Sequence, residues 1–214
     1  MRRGLEAQLA ERERVLADGV EAVGWKLGFG APAAMEKLGT PAPLVGFLTS
    51  RSVLEGDAAG VGGWSNPMLE PEIALRVARG ADGVSIASVA PAFELIDLSP
   101  PPEDPEAILA GNIYHRHVVF GSEVDAGDVD LSALRAVNSV NGERTEVDEP
   151  QALTGPLPGL LQHVDALLSG FGIELADDAR IICGSIVPPI SVSPGDRIEY
   201  RLDGVGELSL AIQE

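Results

Sequence analysis

The sequence has little that would suggest secretion or a membrane. It contains a single cysteine, Cys183, so no internal disulfide can form and nothing indicates an oxidising compartment. Its apolar neighbours predict a buried, inert thiol. No apolar run approaches the roughly 20 residues of a membrane helix. The first residues lack the apolar centre of a signal peptide. We therefore expect a cytoplasmic location.

Positive charge is also scarce. The 214 residues include 15 Lys and Arg against 33 Asp and Glu, for a net charge of −18. This balance argues against nucleic acid and anionic membrane surfaces as partners. An anionic small substrate remains compatible with the chain, provided that its site supplies local positive charge. The length suits one domain or a domain with an arm.

The hydrophobic patterns predict an α+β protein with many strands and few helices. An amphipathic helix is expected over residues 4–18 and another from Leu157 to about Gly170. Asn141-Gly142 predicts a tight hairpin, and residues 99–112 are expected to form an exposed loop. We divide the chain into a helical arm, 1–20, and one catalytic domain, 21–214. Strands are expected near 44–48, 68–79, 88–97, 114–120, 134–140, 180–187, 197–202 and 207–213.

Glu70 and Glu72 are two residues apart in a predicted strand, so their side chains should point to the same face. Adjacent carboxylates repel each other unless a cation neutralises them, and hard divalent cations such as Mg²⁺ prefer oxygen ligands. The alternative is a solvated strand face on which Arg76 pairs with Glu72. Glu94 lies in an apolar run, where an ionised side chain needs a metal or an ion pair.

Lys26 has only apolar neighbours in sequence. It could place a cation against the carboxylates or a substrate, or it could extend its ammonium to the surface. The Gly184-Ser185 turn offers a backbone N–H and a hydroxyl that could hold a substrate carboxylate, or it is simply the end of a strand. The three histidines show no zinc-ligand spacing, and we interpret His115, His117 and His163 as surface or packing residues.

Four motifs in order give a resemblance to a known family. They are Gly-Trp-Lys-Leu-Gly, Glu-Pro-Glu-Ile-Ala, Pro-Ala-Phe-Glu-Leu-Ile-Asp and Gly-Ser-Ile-Val-Pro-Pro. From about residue 23 onward the chain resembles the 2-keto-4-pentenoate hydratase / 4-oxalocrotonate decarboxylase branch of the fumarylacetoacetate hydrolase superfamily. The resemblance implies a mixed β-roll with flanking helices, in homo-oligomers. It implies Mg²⁺ or Mn²⁺ bound by Glu70, Glu72 and Glu94. It also implies that Lys26 and Glu72 are catalytic, and that substrate is bound by Lys26, Gly184, Ser185 and Asn112.

The implied activity is that of a lyase, a hydratase or decarboxylase, acting on a small 2-oxo or 2-hydroxydienoic acid through a metal-bound enolate. Hydrolysis of a C–C bond in an acylpyruvate is the alternative reaction. A third hypothesis is a weakened relative that only binds a 2-oxo acid. It is favoured by Leu44, which stands where the family has an aspartate linked to proton handling.

Overall fold

Two β-sheets carry the fold in the computed structural model, which describes all 214 residues. The larger sheet has the order β2-β1-β10-β4-β5-β6, and β7 and β11 pair with the outer parts of β5 and β4. Only β1 and β10 run parallel within it. Its strands are β1 (Ala22–Gly28), β2 (Leu44–Thr49), β4 (Pro67–Gly80), β5 (Gly83–Asp97), β6 (His115–Phe120), β7 (Val124–Asp125), β10 (Arg180–Ser185) and β11 (Ile190–Ser191).

The second sheet has five strands in the order β3-β13-β12-β8-β9. Along β12 the side chains of Ile198, Tyr200 and Leu202 are buried and those between them are exposed, as expected for a sheet with one face on the core. The Asn141-Gly142 hairpin is confirmed, since both residues have positive φ, 52° and 87°. The strands are β3 (Ala58–Gly60), β8 (Ala136–Val140), β9 (Glu143–Val147), β12 (Arg197–Leu202) and β13 (Gly206–Gln213).

Four helices flank the sheets: α1 (Arg2–Ala17), α2 (Pro32–Leu38), α3 (Pro105–Ala110) and α4 (Leu157–Ser169). The buried side of α4 is made of leucines and a valine at helical spacing, which join the main core of both sheets. Helix α1 packs against α3, where the Gln8 Nε2 donates to the backbone O of Leu109 at 2.8 Å. No helix has the length and apolarity needed to cross a membrane.

The α+β class is confirmed, whereas one local expectation was wrong. Residues 99–112 are not only a loop, because α3 lies within them. Its N-terminus carries a readable signal: the Asp104 carboxylate accepts from the Glu106 N–H at 2.9 Å, and Pro105 occupies the first turn. The glycine-rich run at 22–28 forms strand β1. Cys183 is buried, as predicted.

Candidate metal centre and active site

The register of the β4–β5 hairpin brings three carboxylates together. Glu70 lies directly opposite Glu94, and Glu72 projects from the same face as Glu70 because side chains alternate along a strand. The three side chains place one ligand oxygen each within 4.8 Å of one another. The structure therefore gathers the three residues that the sequence singled out.

A β-bulge decides which face Glu94 occupies. Near the turn Val77 pairs with Ile86, but the next pair is Arg76 with Ser88, so Ala87 is an extra residue in β5. Without that residue the register would shift by one and Glu94 would move to the opposite face. The bulge therefore belongs to the construction of the site.

The three carboxylates lie on a buried face. Glu72 and Glu94 have no exposed surface, and Glu70 is half-buried at the edge of the site. Arg76 pairs with Glu123 at 2.8 Å and with Asp178 at 3.2 Å, so the alternative of a solvated face with an Arg76–Glu72 pair is wrong.

Lys26 is buried beside these groups and does not extend to the surface. Its side chain is 1% exposed, and Nζ lies 2.5 Å from Oε1 of Glu94. A second N–H of the ammonium donates to the backbone O of Ile113 at 3.2 Å. Glycine at position 46 makes room for the lysine stem, since a Cβ there would lie 2.9 Å from Lys26 Cγ. Lys26 thus places a fixed positive charge at the carboxylate cluster.

The cluster does not balance its own charge. Burial and the neighbouring Glu94 raise the pKa of Glu70 to about 7. Burial, Glu94 and Glu70 raise the pKa of Glu72 well above its ordinary value. Burial opposes ionisation of Glu94 as well, but Lys26 and His115 outweigh it and lower the pKa of Glu94. When all three ionise, three carboxylates and one ammonium leave a net charge of −2.

The oxygens left without partners suit a hard divalent ion. Oε1 of Glu72 and Oε2 of Glu94 are buried and have no hydrogen-bond partner, which is costly for carboxylate oxygens. Mg²⁺, Ca²⁺ and Mn²⁺ prefer such ligands, and a divalent ion would cancel the −2 charge. These residues therefore fit the metal that the resemblance implies.

The strand end at 184–185 borders the cluster. The Gly184 N–H donates to Oε2 of Glu72 at 2.7 Å, so the structure uses this group to hold a carboxylate of the protein. Ser185 lies opposite Glu72 across β10 and β4, and its buried Oγ has no partner. Of the two groups that the sequence suggested for substrate, the hydroxyl is the one left free.

Asn112 lies near Lys26, but its amide is already engaged. Its Oδ1 accepts from the Phe47 N–H at 2.8 Å, and its Nδ2 donates to the Phe47 carbonyl at 3.0 Å. The side chain thereby braces β2 next to the site.

His115 is the residue that the sequence interpretation missed. Its Nδ1 lies 2.6 Å from Oε1 of Glu94, and its side chain is 4% exposed, so its assignment as a surface or packing residue was wrong. The other histidines do serve packing: His117 stacks on Trp64 with ring centroids 5.8 Å apart, and His163 Nε2 contacts the Pro43 carbonyl at 3.0 Å. No local sequence pattern separates His115 from His117.

Comparisons with known proteins give relatives over nearly the whole chain, although no protein-family model matches it. The chain is 28% identical to a 4-oxalocrotonate decarboxylase of Pseudomonas putida, covering 92% of this chain and 80% of that one. It is 26% identical to a 2-hydroxyhexa-2,4-dienoate hydratase of Comamonas testosteroni, covering 92% and 81%. These relatives support the resemblance to the hydratase/decarboxylase branch of the fumarylacetoacetate hydrolase superfamily.

Solved structures agree with that resemblance. A 4-oxalocrotonate decarboxylase of Pseudomonas putida G7, complexed with magnesium and adipate, superposes with a TM-score of 0.88 at 26% identity, covering 98% of this chain and 84% of that one. A fumarylpyruvate hydrolase of Pseudomonas aeruginosa has a similar fold, with a TM-score of 0.66 at 16% identity, covering 91% of this chain and 90% of that one.

Leu44 occupies the position where the resemblance expects an aspartate, and its surroundings are apolar. Its side chain is 1% exposed and packs in a small apolar cluster with Leu5, Leu38, Ile108 and Ile113. Helices α1 and α3 contribute to this cluster, so position 44 faces an apolar surrounding. The Leu44 side chain supplies no group that could exchange a proton at this point of the structure.

Proposed function

We propose that the protein is a divalent-metal-dependent lyase acting on a small 2-oxo or 2-hydroxydienoic acid. One observation carries the proposal: two buried glutamates and the half-buried Glu70 converge beside a buried lysine, and two of the glutamate oxygens are buried without a partner. The named relatives, a decarboxylase and a hydratase, support the same reaction class.

Glu70, Glu72 and Glu94 would hold the ion, with Mg²⁺ or Mn²⁺ as the proposed cofactor. When bound, such an ion acts as a Lewis acid toward the carboxylate and 2-oxygen of an oxo acid. The Gly184 N–H fixes Glu72, and the Ser185 hydroxyl, which has no partner in the protein, would form a hydrogen bond with the substrate. Glu70 is the least buried of the three glutamates, so a substrate would approach the ion from its side.

Lys26 is the proposed proton donor. An ammonium has three N–H groups, and two of them are used on Glu94 and on the Ile113 carbonyl. The third remains for the substrate. Its positive charge also favours the anionic enolate over the neutral keto form.

Decarboxylation is the reaction that these residues serve best. The bond between the departing carboxylate and its carbon breaks, and its electron pair enters the conjugated system as CO₂ leaves. One proton from Lys26 Nζ then completes the product. Hydration would in addition need a group that activates water, and the resemblance expects an aspartate at position 44, where this chain has a buried leucine in an apolar cluster.

Parallel assays test the proposal. Enol hydration, decarboxylation of 2-oxo dicarboxylic acids and cleavage of acylpyruvates should be measured with Mg²⁺, with Mn²⁺ and after chelation. We expect CO₂ release that depends on the metal and is lost in Glu72→Gln. Acylpyruvate cleavage would establish the hydrolase alternative, and 2-oxo acid binding without turnover would establish the binding-only one.

We further propose that the protein forms homo-oligomers in the cytoplasm and that residues 1–20 form an arm on the domain 21–214. Support for the oligomer comes from the family resemblance. Light scattering at micromolar concentration would determine the number of subunits.

A further inference from the structure

A second β-bulge lies beside the metal centre, between β5 and β6. Glu94 pairs with Val118 and Leu95 pairs with His117, but Ile96 then pairs with His115, so Arg116 is an extra residue. In a regular register Arg116 would lie opposite Ile96, on the face that carries Glu94. The bulge puts His115 on that face instead. Bulges next to active sites commonly re-aim a side chain in this way.

The contact that results is polar and directional. Glu94 is ion-paired with Lys26, and an ionised carboxylate only accepts hydrogen bonds, so Nδ1 of His115 carries the proton at 2.6 Å from Oε1. Nε2 of the imidazole is buried and has no partner. A histidine kept only for packing would need no such alignment.

His115 makes the two oxygens of Glu94 unequal. Oε1 receives both Lys26 and His115, whereas Oε2 has no partner. Lys26 alone would not select one oxygen, because an ammonium is a compact point charge with three rotatable donors that can meet either oxygen of a carboxylate. The short, rigid imidazole on β6 can reach only the oxygen that it faces.

We propose that His115 is a positioning residue: it holds Oε1 of Glu94 beside Lys26 and so leaves Oε2 turned toward Glu70 and Glu72 for the divalent ion. This inference rests on the proposed function, since it presumes that the carboxylates bind a metal. The relevant property is the metal affinity of the substrate-free protein.

The backbone before His115 also helps to position the groups that contact Glu94. Asn112, Ile113 and Tyr114 have consecutive positive φ values of 53°, 54° and 61°, which is costly for residues other than glycine and most of all for a β-branched one. This left-handed turn aims the Ile113 carbonyl at Lys26 Nζ and starts β6 at His115. One strained turn thus positions both partners of Glu94.

Three substitutions separate positioning from packing. His115→Asn keeps an N–H donor near the position of Nδ1, His115→Gln moves it outward by one methylene, and His115→Phe keeps the ring but removes the donor. His117→Phe is the matched control, since His117 stacks on Trp64. Mn²⁺ binding without substrate is measured by electron paramagnetic resonance of the free ion, and circular dichroism checks the fold.

We expect His115→Phe and His115→Gln to weaken Mn²⁺ binding by about 10- to 100-fold, as for partners that orient metal ligands. The Mn²⁺ affinity of His115→Asn should stay within a few fold of the wild-type value, and the affinity of His117→Phe should equal the wild-type value. If His115→Phe does not fold, the contrast between Asn and Gln still decides.

Wild-type affinity in His115→Phe, or equal affinities in the Asn and Gln variants, would overturn the positioning role alone. A wild-type protein that binds no Mn²⁺ would overturn the proposed function together with this inference.

Discussion

Lys26→Met removes the only positive charge that the protein places inside the carboxylate cluster. The methionine matches the aliphatic stem, so packing around Gly46 and Gly28 is kept. Glu94 then loses a partner at 2.5 Å in a fully buried position. Breaking a buried ion pair by removing one partner costs about 3–5 kcal/mol.

This loss of stability should depend on pH, because protonation of Glu94 removes the unpaired buried charge. The pKa of Glu94 lies below its ordinary value in the wild type, so its pairing stabilises the protein above the unfolded pKa of about 4.3 and is lost as the pH falls. In the variant, protonating Glu94 costs about 5 kcal/mol at pH 8 and about 1.6 kcal/mol at pH 5.5. We therefore expect a large loss of unfolding free energy at pH 8 that shrinks by pH 5.5.

Urea unfolding in EDTA at the two pH values measures this loss, with Lys37→Met as control, since Lys37 is exposed and is the only other lysine. Saturating Mg²⁺ should restore more stability to Lys26→Met than to wild type, because the ion replaces the missing charge. Turnover should fall by about 10²- to 10⁴-fold, the usual contribution of a general acid. A variant with wild-type stability at pH 8 and wild-type turnover would refute the role given to Lys26.

Three further outcomes are expected. Mg²⁺ affinity should rise from pH 6 to pH 8 with release of protons, because the pKa of Glu70 is about 7 and that of Glu72 is raised; calorimetry in buffers of different ionisation enthalpy measures both. Burial opposes ionisation of Asp97, but N–H groups of the 65–66 turn and Arg116 lower its pKa, so Asp97→Asn should cost about 1–3 kcal/mol at pH 7 and progressively less in thermal unfolding as the pH falls below the ordinary pKa of an aspartate. Gly46→Ala puts a Cβ 2.8 Å from Asn112 Oδ1 and should lower kcat by up to about 100-fold, while Gly80→Ala, with no neighbouring atoms within 4 Å, should not.

The sequence could predict what depends on short-range periodicity. Strand alternation put Glu70 and Glu72 on one face, and Asn141-Gly142 marked a hairpin. The convergence of Glu94 with them could not be worked out from such patterns, because it depends on the extra residue Ala87 in the partner strand. The motif resemblance named Glu94 without giving that physical reason.

The burial of Lys26 also could not be predicted from the sequence. A lysine among apolar neighbours is equally compatible with a surface ammonium, and only the position of Glu94 on another strand makes burial of Lys26 favourable. His115 was missed for a related reason. His115 and His117 are two residues apart, so strand alternation alone would put both side chains on the same face, and only the bulge at Arg116 turns His115 toward Glu94. Helix α3, by contrast, had a local signal in Asp104-Pro105.

The most direct test of the account is anomalous diffraction from crystals containing Mn²⁺. We predict one strong peak per chain, with oxygens of Glu70, Glu72 and Glu94 at about 2.1 Å, close to the distances of Mg²⁺ sites, and with Lys26 still paired to Glu94. A peak elsewhere, or saturating Mn²⁺ with no peak between these carboxylates, would contradict it.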